Sequence, residues 1–210
     1  MSKRRIYVDI DDVLAETIER LLELLEQMHD RKVVLHEVEH FDLTKSFGLD
    51  QDEIDTFMDR AHDDDVIESI VPMSGAAKVL SRWDAEGHRI TLVTGRPPTT
   101  NAASLRWLET HDFCHEALHH LDKWSRPGWN RAGLPEIAFE DLSDFGFEFA
   151  VEDSLDTAVR LVEEFDIPVA LMDRPWNREL DAVSSETRAS LIRCTDWSQV
   201  ASCFGSTVRG

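Results

Sequence analysis

Long apolar runs are missing. No stretch of the 210 residues approaches the roughly 18 consecutive apolar residues that a membrane span requires. Positive charge is short as well: 22 Lys and Arg face 42 Asp and Glu, a net charge of −20. That balance excludes nucleic-acid polymers and anionic membranes as expected partners, while a small phosphorylated substrate stays compatible if local cations offset the field. Lysine in particular is scarce, only Lys3, Lys32, Lys45, Lys78 and Lys123. An acidic, lysine-poor surface fits a high-salt cytoplasm and equally fits drift within a family. Cysteine is limited to Cys114, Cys194 and Cys203, with no C-x-x-C pair, so neither a zinc ribbon nor a disulfide framework is supported. The opening Met-Ser-Lys-Arg-Arg runs straight into an apolar segment with no signal-peptide core, so a cytoplasmic chain is expected.

What is present is concentrated first in Arg5–Val13. Ile6 to Ile10 read as a buried strand, and three carboxylates, Asp9, Asp11 and Asp12, then fall within four positions. Unpaired buried carboxylates are costly or become protonated. A divalent cation relieves such a cluster, and oxygen-only ligands favour Mg²⁺, which also binds substrate phosphates. An acidic turn leading into a helix N-terminus accounts for this stretch equally well.

The chain then alternates. Val13 to His29 carries Leu14, Ile18, Leu21, Leu22, Leu25 and Met28 at helical spacing, a packing stripe. A second helix is expected from about Asp50 to Ala61, with Gly48 and Asp50 as breaker and cap, and Asp63-Asp64-Asp65 as a solvated turn. Ser74 is placed to cap a helix running to Glu86. Strands are expected at Arg89–Val93, Ala117–Leu121, Phe147–Val151 and Pro168–Met172. Between and after them come helices at about Thr99–Thr110 (Ala102, Leu105, Trp107 and Leu108 as its apolar residues), Leu155–Phe165 and Trp197–Phe204. Apolar strands alternating with helices predict an α/β fold, a parallel sheet covered on both faces. Ligands bind beyond the carboxyl ends of such strands, and Asp9, Asp11, Thr94, Asp153 and Asp173 all fall there.

Those positions suggest roles. Asp9 is the candidate nucleophile, since a carboxylate can attack phosphorus and split one hard step into two. Asp11, on the same side of an extended chain, can protonate the leaving oxygen and later deprotonate water. Asp12 points the other way and is expected to hold the loop or cap the next helix. Thr94 and the Gly95 N–H can hold phosphoryl oxygens, although Thr-Gly alone reads as an ordinary strand-to-helix turn. Lys123 follows the third strand, where a fixed cation would offset developing charge. Asp153 can complete a metal shell with Asp9, with Glu152 and Asp156 as outer support.

The order Asp-x-Asp-x-Val, Val-Thr-Gly-Arg, Lys, then Glu-Asp-Ser-x-x-Asp, spanning Asp9 to Asp156, strongly resembles the haloacid dehalogenase-like (HAD) phosphatase superfamily. Three further features look like its cytosolic deoxyribonucleotidase, 5′-nucleotidase type C, branch: Ile10–Thr17, Thr94-Gly95-Arg96-Pro97, and Leu171–Arg178. The resemblance implies a Rossmann-like, doubly wound core (1–14 and 72–210) with a small helical cap (15–71) inserted after the first strand. It implies Mg²⁺ held by Asp9, Asp153 and the main-chain carbonyl of Asp11. Catalysis would fall to Asp9, Asp11 and Lys123, and substrate binding to Thr94, Gly95 and Arg96. Two departures stand out: Gly95 where the branch often has Ala, and a long, loop-like Ser125–Gly146 stretch. That stretch is expected either to alter access to the site or to contact a second copy in a homodimer.

Other residues carry less. His111, His115, His119 and His120 with Cys114 lack a spacing that fixes a zinc geometry, so solvated or core histidines are expected. Phe41 is assigned to stacking on a nucleotide base, against the alternative that Phe41, Phe47 and Phe57 fill a cap core. Trp176 is expected near the site rim. The expected activity is Mg²⁺-dependent phosphomonoester hydrolysis, on a nucleoside monophosphate or a sugar phosphate. The competing class is a catalytically silent phosphate-binding regulator; a halogen-releasing enzyme fits the acid and metal residues less well.

Overall fold

A computed structural model describes residues 3–123, 125, 128–130 and 132–206. Trp124, the end of the Leu121–Trp124 segment, lies outside the described residues, as do Arg126, Pro127 and Arg131 of the long loop. The elements run β1 (Arg5–Val8), α1 (Thr17–His29), α2 (Leu43–Phe47), α3 (Gln51–Ala61), α4 (Asp64–Glu68), α5 (Ala76–Ala85), β2 (Arg89–Thr94), α6 (Asn101–Thr110) and β3 (Ala117–His120). They continue with α7 (Leu142–Phe145), β4 (Phe149–Glu152), α8 (Leu155–Phe165), β5 (Val169–Met172), α9 (Ser185–Ser190), β6 (Leu191–Cys194) and α10 (Trp197–Ser206). The strands form one parallel sheet in the order β3-β2-β1-β4-β5-β6, with β1 at the centre. This is an α/β, Rossmann-like fold.

Strand alternation sends side chains to two separate cores. Ile6, Val8, Leu92, Phe149, Val151 and Met172 meet α5, α6 and α10 through Trp83, Trp107 and Trp197. Tyr7, Val93, Ala150, Val169 and Leu171 face α7 and α8 on the other side. The helices between β1 and β2 bury a third cluster of their own, in which Phe47 and Phe57 meet edge to face with centroids 5.5 Å apart.

Several sequence expectations shift, each for a local reason. The first helix starts at Thr17 rather than Val13, because Asp12 adopts φ +55° and residues 11–15 close a tight turn. Leu14 therefore joins the sheet core, and Met28 at the far end is exposed. Asp63–Asp65 is solvent-exposed, as expected, but opens a helix rather than forming only a turn. Asp63 precedes α4, and Arg60 and Arg106 pair with the acids around it: Arg60 with Asp63 and Asp65, Arg106 with Asp64 and Glu68. Gly75, not Ser74, precedes α5, and no side chain caps it. On α6 the buried face is Ala103, Ser104, Trp107 and Leu108, while Leu105 is exposed. The edge strand β6 and short α9 have no counterpart in the sequence reading, since Arg193 interrupts the apolar run of a four-residue strand that buries only Cys194 fully. Gly48 and Asp50 act as read: Gly48 ends α2 in the left-handed region, and Asp50 caps α3 reciprocally with Glu53.

Candidate active site

The carboxyl ends of β1 and β4, with the residues just past β3, bring the expected Asp9, Lys123 and Asp153 together with Glu152. Asp9 follows β1 and is buried, and its backbone N–H still donates to the Val151 carbonyl of β4 at 3.0 Å. Lys123 lies three residues beyond β3. Its Nζ reaches Asp9 Oδ2 at 2.7 Å and Glu152 Oε1 at 2.5 Å, with no side-chain exposure. Asp9, Glu152 and Asp153 place carboxylate oxygens within 4.8 Å of one another. Thr94 closes β2, fully buried, and its Oγ1 accepts from the Arg96 N–H at 3.1 Å.

Glu152 is more central than an outer support. Its Oε1 also accepts from the Tyr7 hydroxyl at 3.1 Å, and its Oε2 accepts the N–H groups of Asp153 and Ser154 at 2.7 and 3.0 Å. Burial acts to raise its pKa, but the Lys123 ammonium and these donors outweigh it and hold the carboxyl below its usual range. Burial pushes Asp9 and Asp153 well upward, with Glu152 adding repulsion to both. Lys123 is raised: burial disfavours its charge, and Asp9 and Glu152 more than compensate. Three carboxylates thus face one ammonium, leaving two negative charges that a divalent cation would balance. The oxygen-only donor set suits Mg²⁺. Glu152 takes two donors on each oxygen and does not line the cavity, whereas Asp9 takes one on each, Asp153 takes one on Oδ2, and both line it, which leaves Asp9 and Asp153 as the carboxylates able to hold such an ion.

Asp11 is placed apart from that trio. The Arg96 Nη2 meets its Oδ1 at 2.6 Å, Arg96 Nε reaches both oxygens at 3.0 Å, and the Thr17 hydroxyl donates at 2.6 Å. Burial raises the Asp11 carboxyl, but Arg96 and Thr17 overcome it and keep the group below the ordinary range. The expected substrate residue Arg96 is therefore an ion-pair partner of the expected acid, steadied by Ser104 Oγ at 3.2 Å. Asp12 does cap the helix, its Oδ1 accepting from the Ile18 N–H at 3.1 Å. The Arg174 guanidinium grips the Asp12 carbonyl at 2.6 and 3.1 Å. Asp173, another strand-end acid, is tied into local pairs with Arg178 and Arg193.

Of these groups, Asp9, Asp11, Asp12, Arg96 and Asp153 open onto a cavity of about 590 Å³, while Lys123, Glu152 and Thr94 are buried and do not line it. Asp9, Asp11, Gly95, Arg96 and Asp153 line its floor; Ile18, Leu21, Met58, Val66, Phe41 and Trp176 are among its apolar walls. Phe41 is 44% exposed and stands outside the apolar cluster that buries Phe47 and Phe57, so only the latter two fill a cap core. Trp129 of the long loop donates its indole N–H to the Gly95 carbonyl at 3.0 Å, and His120 Nδ1 lies 2.9 Å from the Arg96 carbonyl. His120 is thus committed to the turn after β2, and among the described residues the histidines with Cys114 form no metal-ligating group. Sequence reasoning missed the supports Thr17, Trp129, Arg174 and Asn177. Of these, Thr17 lies in Ile10–Thr17, and Arg174 and Asn177 in Leu171–Arg178, both singled out as motifs.

Two solved structures superpose over nearly the whole chain. A HAD family hydrolase from Deinococcus radiodurans, with bound phosphate and sodium, gives a TM-score of 0.61 at 15% identity, covering 98% of this chain and 96% of its own. A haloacid dehalogenase-like family hydrolase, SP0104 of Streptococcus pneumoniae, gives 0.60 at 15%, covering 96% and 98%. The fold is that of the haloacid dehalogenase-like hydrolases. Within this HAD-like fold, a provisionally named nucleotidase of Halalkalibacterium halodurans, BH1399, is 26% identical over 198 residues, 94% of this chain and 91% of its own length. The LNS2 domain family of PITM 1-3 matches residues 53–130. Among the described residues no helix is long and apolar enough to cross a membrane.

The raised carboxyls carry a pH signature. Asp12 is pushed up to about 7, chiefly by burial, against about 3.9 for an unfolded Asp. Between about pH 4 and pH 7 the native state therefore binds more protons than the unfolded chain, and stability falls as pH rises through that window. Asp9 and Asp153 act with the same sign. In chelator, the isosteric Asp12→Asn is expected to make the Tm less unfavourably dependent on rising pH between pH 5 and pH 7.5 than in wild type, because the Asp12 contribution is removed while the lowered His88, His119 and His120 contribute with the opposite sign in both proteins. Thermal scans of the two proteins at several pH values decide it; an unchanged slope in Asp12→Asn refutes the assignment.

Proposed function

We propose that the chain is a Mg²⁺-dependent phosphomonoester hydrolase acting through an aspartyl-phosphate on Asp9, with nucleoside monophosphates as its substrate class. The observation that carries this reading is the buried Asp9–Lys123–Glu152 ion-pair set beside Asp153, with Asp9 and Asp153 opening onto the cavity. Asp9 attacks phosphorus as the bond to the leaving oxygen breaks. Asp11 gives that oxygen a proton and later takes one from the water that opens the acyl phosphate. A phosphate group at the floor competes with Asp11 for Arg96; with Arg96 drawn away, burial favours the neutral acid, and Asp11 takes up from solvent the proton it then gives to the leaving oxygen. Thr94 and Gly95 bind phosphoryl oxygens, while Lys123 offsets their developing charge. Mg²⁺, held by Asp9, Asp153 and the Asp11 carbonyl, would supply further charge neutralisation. The segment 15–71 serves as the cap that closes over the organic part of the substrate. The partner is a small molecule in the cytoplasm rather than a nucleic-acid polymer or a membrane.

Nucleotides are favoured by the nucleotidase relative and by Phe41 and Trp176 on the cavity wall, where a base can stack. The apolar wall suits a polyhydroxylated sugar phosphate less well. An intact carboxylate and lysine set argues against a silent regulator. Purified protein incubated with nucleoside monophosphates, sugar phosphates and p-nitrophenyl phosphate, with Mg²⁺ or with EDTA, tests the reading. Release of phosphate is expected only with Mg²⁺ and fastest from nucleotides. No release from any compound sinks the proposal; release from sugar phosphates alone removes the nucleotide claim.

A further inference from the structure

Trp176 does three things at once. Its indole N–H donates to Asp153 Oδ2 at 2.9 Å. Its ring lines the cavity. It also packs against the hydrophobic cluster of the helices between β1 and β2. The segment bearing it is fixed independently: Asn177 Nδ2 donates to the Asp153 and Met172 carbonyls, both at 2.7 Å, and Arg193 Nη1 holds Asn177 Oδ1 at 2.7 Å. Trp176 is thus a half-buried side chain on an anchored turn, with its polar edge on an acid of the trio and its apolar face on the organic side of the cavity.

We infer that Trp176 is a positioning and specificity residue that joins the two halves of the site: its N–H orients Asp153 for the cation, and its ring holds the organic group of the substrate. The inference rests on the phosphomonoesterase reading above. An acid that ligates a metal needs its second oxygen directed, and losing such a partner commonly weakens metal affinity 10–100-fold. A ring in the same residue makes cation binding and organic-group binding share one structural element, which is the requirement for coupling between them.

Two substitutions separate the functions. Trp176→Phe keeps an aromatic face and deletes the donor; Trp176→Ala deletes both. Titration of each metal-free protein with magnesium chloride alone, by calorimetry and by the Mg²⁺-induced rise in Tm, is expected to show about 10-fold weaker binding in both. At saturating Mg²⁺, the KM for p-nitrophenyl phosphate should be about 10-fold higher in Trp176→Ala than in Trp176→Phe, which retains an aromatic face. Inhibition by inorganic phosphate, which has no organic group, should be the same in the two variants. Wild-type Mg²⁺ affinity in Trp176→Phe, or equal KM values in the two variants, overturns the inference while leaving the hydrolase reading intact. A wild-type protein that neither binds Mg²⁺ nor releases phosphate overturns both. Should Trp176→Ala fail to fold, the Mg²⁺ affinity of Trp176→Phe and its ratio of KM to phosphate inhibition still decide the matter.

Discussion

Replacing Asp9 by asparagine is expected to leave a folded protein whose phosphomonoesterase activity has fallen at least about 10³-fold. The amide cannot attack phosphorus, so the covalent route closes. The fold should survive because the contacts of Asp9 do not all require charge. Its Oδ1 accepts the Ile10 N–H at 2.8 Å, which an amide oxygen reproduces. Lys123 keeps Glu152 as its counter-ion. Burial and the nearby Glu152 already work against the Asp9 charge, so its removal relieves repulsion in the metal-free state. The expected pattern has three parts: activity lost, Tm without Mg²⁺ equal to or above wild type, and a smaller Tm gain on adding Mg²⁺. Phosphate release and thermal scans on the same preparation measure all three. Activity above about a tenth of wild type would remove Asp9 from the nucleophile's role.

The sheet was legible because each central strand is a short β-branched run ending in a polar residue, and Asp9, Thr94 and Asp153 fall at those ends without needing any tertiary information. Lys123 could be placed only by its order in the motifs, since a lone lysine usually means solvated surface. The sequence carried no sign that Arg96 would turn onto Asp11, because that pairing depends on the turn after β2 bending back toward β1. Nor could it show Trp176 facing Asp153, which depends on the anchored turn after β5. β6 and α4 were missed for a different reason. Both are short and partly exposed, and the acids around α4 become legible only once Arg60 and Arg106 are seen beside them.

Lys123→Met should be the most damaging single change to stability in the site, at about 3–5 kcal/mol. The ammonium is fully enclosed and pairs with both Asp9 and Glu152. Methionine fills the volume but leaves two carboxylates buried with no counter-ion. Glu152 keeps the Tyr7 hydroxyl and two backbone N–H donors, so the penalty falls most heavily on Asp9. Such a loss is a large part of the 5–15 kcal/mol that holds a domain folded, so a sharp fall in Tm is expected. Adding Glu152→Gln to the variant removes one of the stranded charges and keeps one acceptor oxygen for the Asp153 and Ser154 N–H groups, its NH2 then facing the Tyr7 hydroxyl, whose oxygen can accept. The double variant should recover much of the lost Tm, a non-additivity that reports the coupling of the two groups. Activity should not return with stability, because the fixed ammonium that offsets the developing phosphoryl charge is gone, a loss of about 10²–10³-fold. A Lys123→Met protein as stable as wild type would mean that the native site does not hold these groups ionised. A double variant that regained activity along with Tm would reduce Lys123 to a structural support.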